Sequence, residues 1–287
     1  NKKLNLTHND ILICEDYIKN KISRYQETLP IIGKKDFFSS NFHYRFNRNS
    51  TDNFSNENVL IQSSSGTSGT AKLAYRTKEN IKTDINNIVQ SLKYEKTDTV
   101  YSSVPLCHGY GLTMGLLAPL KVGAKIIMEK WFMPNRFVDS CILYSPNILL
   151  GTPEIYQLLS GIGKVDQINY EKFKWLFSSG TPLTAEIGLS FHRVANRWIH
   201  QVYGMMEAST ISVNQKPNEQ NLLSVGLPVQ NVKVKIENGL LYIKGSSISS
   251  TYINGNKVLD RNTGWFCTKD SGYINKEGNI FIKKSDN

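Results

Sequence analysis

Five short apolar runs, V-Y-S-S-V (Val100–Val104), A-K-I-I-M (Ala124–Met128), I-L-L (Ile148–Leu150), W-L-F (Trp175–Phe177) and I-H-Q-V (Ile199–Val202), decide the fold class. The segments between them are long enough for crossover helices, Pro153–Ser160 and Thr184–Asn196 among them. Alternation of this kind argues for an α/β core with a mostly parallel sheet flanked by helices. Upstream, Val59–Gln62 reads as a short buried strand running into a Ser/Gly/Thr loop, and Thr77 caps a helix with Ile81, Ile85, Ile88 and Leu92 on one face. Further upstream, Asn9 caps a helix carrying Ile11, Ile18, Ile22 and Tyr25, and Lys34–Asn58 has no period.

The pattern changes near Ile211. Val232, Val234 and Ile236 alternate with polar residues, and Asn238-Gly239 turns the chain into Leu240–Lys244. A second hairpin joins Gly272–Asn275 to Asn279–Ile282 through Lys276-Glu277-Gly278. The expected division is an α/β core over residues 1–210 and a β-rich, distorted barrel-like subdomain over 211–287.

Composition bounds the function. The 287 residues carry 34 Lys and Arg against 24 Asp and Glu, a formal charge of +10, with 40% hydrophobic residues. That is a globular chain, of one large domain or two smaller ones. The excess charge suits a phosphate-rich partner, but the lysines are spread out and most of them serve a solvated surface. No tract interleaves them with aromatic residues, so nucleic acid is not the expected partner. Cys14, Cys107, Cys141 and Cys267 lie far apart, giving neither a disulfide framework nor a zinc site and pointing to a reducing cytoplasm. The most apolar stretch, Leu112–Leu120, is too short for a membrane span.

Three segments can carry chemistry. The loop S-S-S-G-T-S-G-T-A-K (Ser63–Lys72) offers backbone N–H groups, hydroxyls and a lysine charge, a phosphate-binding set. It is not a Walker A loop, because Leu73 stands where Ser or Thr would follow the lysine. In Q-V-Y-G-M-M-E (Gln201–Glu207), Tyr203 can stack on a base, Gly204 permits close approach, and Glu207 can hold a Mg²⁺ shared with phosphates. In G-W-F-C-T-K-D (Gly264–Asp270), Asp270 can accept hydrogen bonds from ribose hydroxyls. Each has a plainer reading: a flexible loop, a favourable charge starting a helix, and a hairpin aspartate.

In this order the segments resemble the adenylate-forming superfamily of acyl- and aryl-CoA synthetases, adenylation domains and luciferases. The loop is similar to that family's S-S-G-T-T-G-x-P-K, Gln201–Glu207 to its Y-G-x-T-E, and Gly264–Asp270 to its G-W-x-x-T-G-D. Pro105–Gly111 (P-L-C-H-G-Y-G), Ser178–Leu183 (S-S-G-T-P-L) and Val225–Pro228 (V-G-L-P) are weaker matches. The resemblance implies an acid–thiol ligase that uses ATP and Mg²⁺ to make an acyl-adenylate from a small carboxylic acid. The acyl group then passes to coenzyme A or to the phosphopantetheine of a carrier protein. It further implies that Ser64, Ser65, Gly66, Thr67, Ser68, Gly69, Thr70 and Lys72 hold phosphates, that Ser179, Gly180, Thr181, Tyr203, Gly204, Met206 and Asp270 surround the nucleotide, and that Glu207 binds the metal. His108, Gly109, Val202 and Gly204 would line the acyl pocket, with His108, Glu207 and Lys72 as the catalytic set. The aspartate that holds an amino-acid substrate is missing from Pro105–Gly111, so the resemblance favours an acyl or aryl acid.

Departures from the family pattern suggest the alternative of a catalytically impaired nucleotide- or carrier-protein-binding module. Met206 replaces a threonine, Lys269 the glycine of T-G-D, and Ala71 and Leu73 the usual residues around Lys72. The terminal K-K-S-D-N (Lys283–Asn287) resembles the family hinge, so the small C-terminal domain with its lysine is expected to lie outside this sequence, and the N-terminal part to be shortened.

Overall fold

The computed structural model describes residues 31–32, 58–63, 73–106, 108–129, 131–161, 167–249, 251–252 and 263–283. The helix expected after Asn9, nearly all of the stretch from Lys34 and the Ser/Gly loop at 64–72 lie outside them. Eight strands form the main sheet in the order β1-β5-β4-β6-β7-β8-β9-β10. They are β1 (Ile31–Ile32), β4 (Thr99–Ser102), β5 (Lys125–Met128), β6 (Ile148–Gly151), β7 (Trp175–Ser178), β8 (His200–Met205), β9 (Ser209–Val213) and β10 (Leu227–Pro228). Strands β1 and β4–β8 run parallel, while β9 and β10 add an antiparallel edge.

Alternate side chains of one strand point to opposite faces, and here both faces are apolar. Ile148 and Leu150 belong to one buried cluster with Ile88, Leu92 and Met114. Leu149 belongs to the other, with Phe137, Tyr156 and Phe191. Helix α1 (Lys78–Leu92) and the helical run from α2 (Gly109–Leu112) through a π-helical turn (Thr113–Leu117) to α3 (Ala118–Val122) thus cover the first face. Helices α4 (Pro134–Tyr144), α5 (Pro153–Gly161) and α6 (Ala185–Ala195) cover the second. The Thr77 cap forms as the sequence predicts, and Thr184 caps α6 in the same way, each hydroxyl accepting a backbone N–H three residues on.

The remaining strands make two smaller sheets, one in the order β11-β12-β14-β15 and one in the order β13-β3-β2. The first holds β11 (Lys233–Glu237), β12 (Leu240–Lys244), β14 (Phe266–Ile274) and β15 (Ile280–Ile282). Asn238 and Gly239 both have positive φ, 51° and 76°, the twist a two-residue hairpin needs. The second sheet holds β2 (Asn58–Ser63), β3 (Leu73–Thr77) and β13 (Thr251–Tyr252). Strand β2 is therefore the first arm of an antiparallel hairpin whose second arm, β3, leads straight into α1.

One expectation needs correcting. The strand read as Ile199–Val202 continues to Met205 and folds back onto β9, so Glu207 sits in a tight turn between strands and does not open a helix. Residues 210 and 211 both lie within β9, and the four-stranded antiparallel sheet begins at Lys233. The expected fold class, a helix-flanked, mostly parallel sheet with a β-rich part, holds.

His200 opens β8 and is buried, with its ring edge-on to Trp175 and Phe177, and Nδ1 accepts the Leu176 N–H at 3.3 Å. Burial pushes its pKa down from about 6.5 to about 4, with Arg197 adding to the effect. The neutral ring is thus the folded form, and the unfolded chain binds the proton first. Its contribution is complete above pH 6.5 and is lost progressively toward pH 4, by about 3 kcal/mol in all. Equilibrium unfolding at pH 7.5 and 4.5 should show this fall, and His200→Asn should flatten it; equal slopes for both proteins would contradict it.

Candidate functional site

The site is built where β8 turns into β9, at the carboxyl edge of the parallel strands. Gly204 allows the turn, because a Cβ there would stand 2.0 Å from the Ser209 carbonyl oxygen. The register shifts between Tyr203 and Gly204, the ladder ends at the pair Met205 and Ser209, and Met206–Ala208 form the turn beyond it. Glu207 ends up buried, with 6% of its surface exposed. Its carbonyl accepts the Ser249 N–H at 2.7 Å, which ties the turn to the segment before β13.

Tyr203 points across to the β-rich sheet. Its hydroxyl donates to Asp270 Oδ2 on β14, joining residues 67 apart in sequence. Burial, and after it the Asp270 carboxylate, holds the Tyr203 phenol above its usual range, so the proton stays on the tyrosine. Asp270 is set by its own neighbourhood. Its N–H donates to Thr268 Oγ1 at 3.1 Å, and Thr268 in turn donates to the Leu241 carbonyl at 2.9 Å. Lys269, between them, has φ 67°, a left-handed conformation that costs a side-chain-bearing residue about 1–2 kcal/mol.

His108 is exposed at the position preceding α2, in extended backbone, and its side chain makes no capping hydrogen bond. Gly109 begins the helix close to Ser209, whose Oγ would lie 3.3 Å from an added Cβ. Ser209 was not foreseen as a site residue, yet it is the hub. It is buried with φ 57°, it shares a 2.8 Å hydrogen bond with Thr113 Oγ1, and Thr113 donates to the Gly109 carbonyl at 2.7 Å. Nothing in the local sequence marks it. Thr113 also begins the π-helical turn, a local irregularity common at functional sites.

Val202 is buried on β8 as part of the core. Ser179, Gly180 and Thr181 follow β7, the strand beside β8. There Gly180 has φ 95°, and the Thr181 hydroxyl donates to Glu154 at 3.1 Å. The structure therefore brings Tyr203, Gly204, Glu207, Gly109 and Asp270 to one sheet edge, with Ser179–Thr181 at the end of the neighbouring strand. The expected phosphate residues Ser64–Thr70 and Lys72 lie outside the described residues, between the arms β2 and β3.

Among the described residues no group of three or more His, Cys, Asp or Glu is placed to hold a metal ion. One carboxylate is nonetheless a suitable donor set for Mg²⁺, which is held by one or two carboxylates together with substrate phosphates. Among the described residues no helix is long and apolar enough to cross a membrane.

A family model described as AMP-binding enzyme matches residues 16–253. A Dictyostelium discoideum protein named "Probable 4-coumarate--CoA ligase 2" is 28% identical over 286 residues, covering 89% of this chain and 52% of the relative. Its namesake "Probable 4-coumarate--CoA ligase 1" is 28% identical over 246 residues, covering 79% and 44%. The chain thus spans about half the length of the curated relatives it matches. Of solved structures, O-succinylbenzoate coenzyme A synthetase (MenE) from Bacillus subtilis, in complex with AMP, superposes with a TM-score of 0.71 at 22% identity, over 81% of this chain and 63% of that one. That likeness is one of fold.

Proposed function

Starting from a chain that belongs to the AMP-binding enzyme family, we propose that it activates a small acyl or aryl carboxylic acid with ATP and serves transfer of the acyl group to a thiol. A carboxylate oxygen of the acid attacks the α-phosphorus, the bond to pyrophosphate breaks, and an acyl-adenylate results. The thiol sulfur of coenzyme A or of a carrier-protein phosphopantetheine then attacks the acyl carbon, losing its proton, and AMP departs. The observation that carries this reading is the hydrogen bond between Tyr203 and Asp270. It joins two motifs far apart in sequence into one wall, suited to a nucleoside with its base against the ring and its ribose against the carboxylate.

The other roles follow the same frame. Ser64–Thr70 and Lys72 would bind the β- and γ-phosphates, and Ser179–Thr181 would border the adenine. Met206 would lie by the α-phosphate, and His108, Gly109, Val202 and Gly204 would line the acid pocket. Glu207 would hold Mg²⁺, which when bound offsets the charge on the leaving pyrophosphate. Calorimetry with ATP, AMP and a non-hydrolysable acyl-adenylate mimic tests the reading, and no binding of any of the three would refute it.

Two observations favour a second reading. Lys269 occupies a left-handed position next to Asp270 where the family pattern has glycine, and Met206 offers no hydroxyl to the α-phosphate. A nucleotide- or carrier-binding module that makes no adenylate would tolerate both. Pyrophosphate exchange across a panel of aliphatic and aromatic acids separates the two, since exchange with any acid excludes the module.

A further inference from the structure

Arg76 on β3 and Asp84 on α1 form an ion pair, Nη2 to Oδ2 at 3.1 Å, and neither side chain has any exposed surface. Such a pair is a poor way to gain stability. Desolvating two charges costs several kcal/mol each, and Nε and Nη1 of Arg76 have no hydrogen-bond partner. Apolar residues of similar size would pack as well or better there. What distinguishes the pair is what it touches. Arg76 also donates to the Ser247 carbonyl at 3.3 Å, two residues before Ser249, whose N–H holds the Glu207 carbonyl. Burial pushes the Asp84 carboxyl up, and Arg76, hydrogen-bonded to its Oδ2, draws it down. The pair thus holds the Glu207 turn through residues 247–249.

Arg76 also lies only four residues beyond Lys72, on the strand that forms one stem of the Ser/Gly loop. We propose that Arg76 and Asp84 are positioning residues, a buried brace that ties the Glu207 turn to β3 and α1 through residues 247–249. The role rests on the adenylation reading for its consequence but not for its geometry. A brace of this kind fixes where the Glu207 carboxylate stands, so its loss should lower turnover more than binding.

The test is the double variant Arg76→Leu/Asp84→Leu, with Arg76→Lys as a second variant that keeps a charge beside Asp84 but gives up the fork that also reaches the Ser247 carbonyl. In the double variant the melting temperature should hold or rise, while the amide of Ser249 exchanges with solvent at least about tenfold faster. Acid-dependent pyrophosphate exchange should lose about 10- to 100-fold in kcat, with KM for the acid changed less than threefold. Arg76→Lys should show a smaller loss with the same split. A folded double variant with unchanged amide exchange overturns the brace whatever its activity, and so does wild-type kcat per folded molecule. Absence of pyrophosphate exchange in the wild type would instead refute the adenylation reading, and amide exchange alone would then decide the brace.

Discussion

Glu207→Gln is expected to cut acid-dependent pyrophosphate exchange by about 10²- to 10³-fold, the loss typical of removing one group that meets developing charge in a reaction. The substitution keeps the size of the side chain and leaves alone the main-chain bond from Ser249 that holds the turn. The fold should therefore survive, with circular dichroism and melting temperature near those of the wild type. Removing one negative charge from a buried turn should weaken Mg²⁺·ATP more than Mg²⁺-free AMP, and raising Mg²⁺ should restore part of the rate. Exchange within twofold of wild type, or an equal loss of affinity for AMP and Mg²⁺·ATP, would show that Glu207 is no metal ligand and that its burial serves the hairpin alone.

The largest expected effect on stability is at Gly226. It sits in the V-G-L-P segment with φ 76°, and an added Cβ would lie 2.1 Å from the Val213 carbonyl oxygen and 2.3 Å from Asn214 backbone atoms. These neighbours are main chain and cannot swing aside. Gly226 is also the joint between the two main sheets. It bridges Ile280, accepting the Ile280 N–H at 2.9 Å, while the Val225 N–H donates to the Ile280 carbonyl at 2.9 Å. Adding strain from overpacking to that of the left-handed backbone, Gly226→Ala should cost about 4 kcal/mol. Because β15 pairs with β14, which carries Asp270, the variant should also bind AMP more weakly in whatever fraction folds. Urea unfolding with a loss below about 1 kcal/mol would contradict this account.

Gly226 also shows where sequence reading stops. V-G-L-P stands out as a motif, but nothing in its four letters says that the glycine meets a strand 54 residues later. Ser209 is the opposite case: it carries no signal at all, being one small polar residue in A-S-T-I-S, and yet it links Thr113 and the Gly109 wall. The helical run after His108 was hidden by its own composition, since three glycines and a proline in 14 residues argue against helix, and tertiary packing overrides them. Arg76 reads in sequence as one more cation among 34, and only burial beside Asp84 sets it apart.

What the sequence by itself determined is the layered core and the identity of the candidate chemistry. Apolar runs such as Ile148–Leu150 have a single favourable destination, the middle of a covered sheet. Capping threonines and the Asn238-Gly239 turn likewise act within a few residues of themselves, and motif letters such as Tyr203, Glu207 and Asp270 are each legible alone. Only the tertiary structure decided how those letters meet. It carried β8 on to Met205 and reversed it, buried Glu207 in the turn, brought Tyr203 to Asp270, and braced the turn with Arg76 and Asp84. Each of these depends on a contact between segments distant in the chain. Such contacts are set by which surfaces remain to be covered once the sheet has formed, and local sequence does not record that.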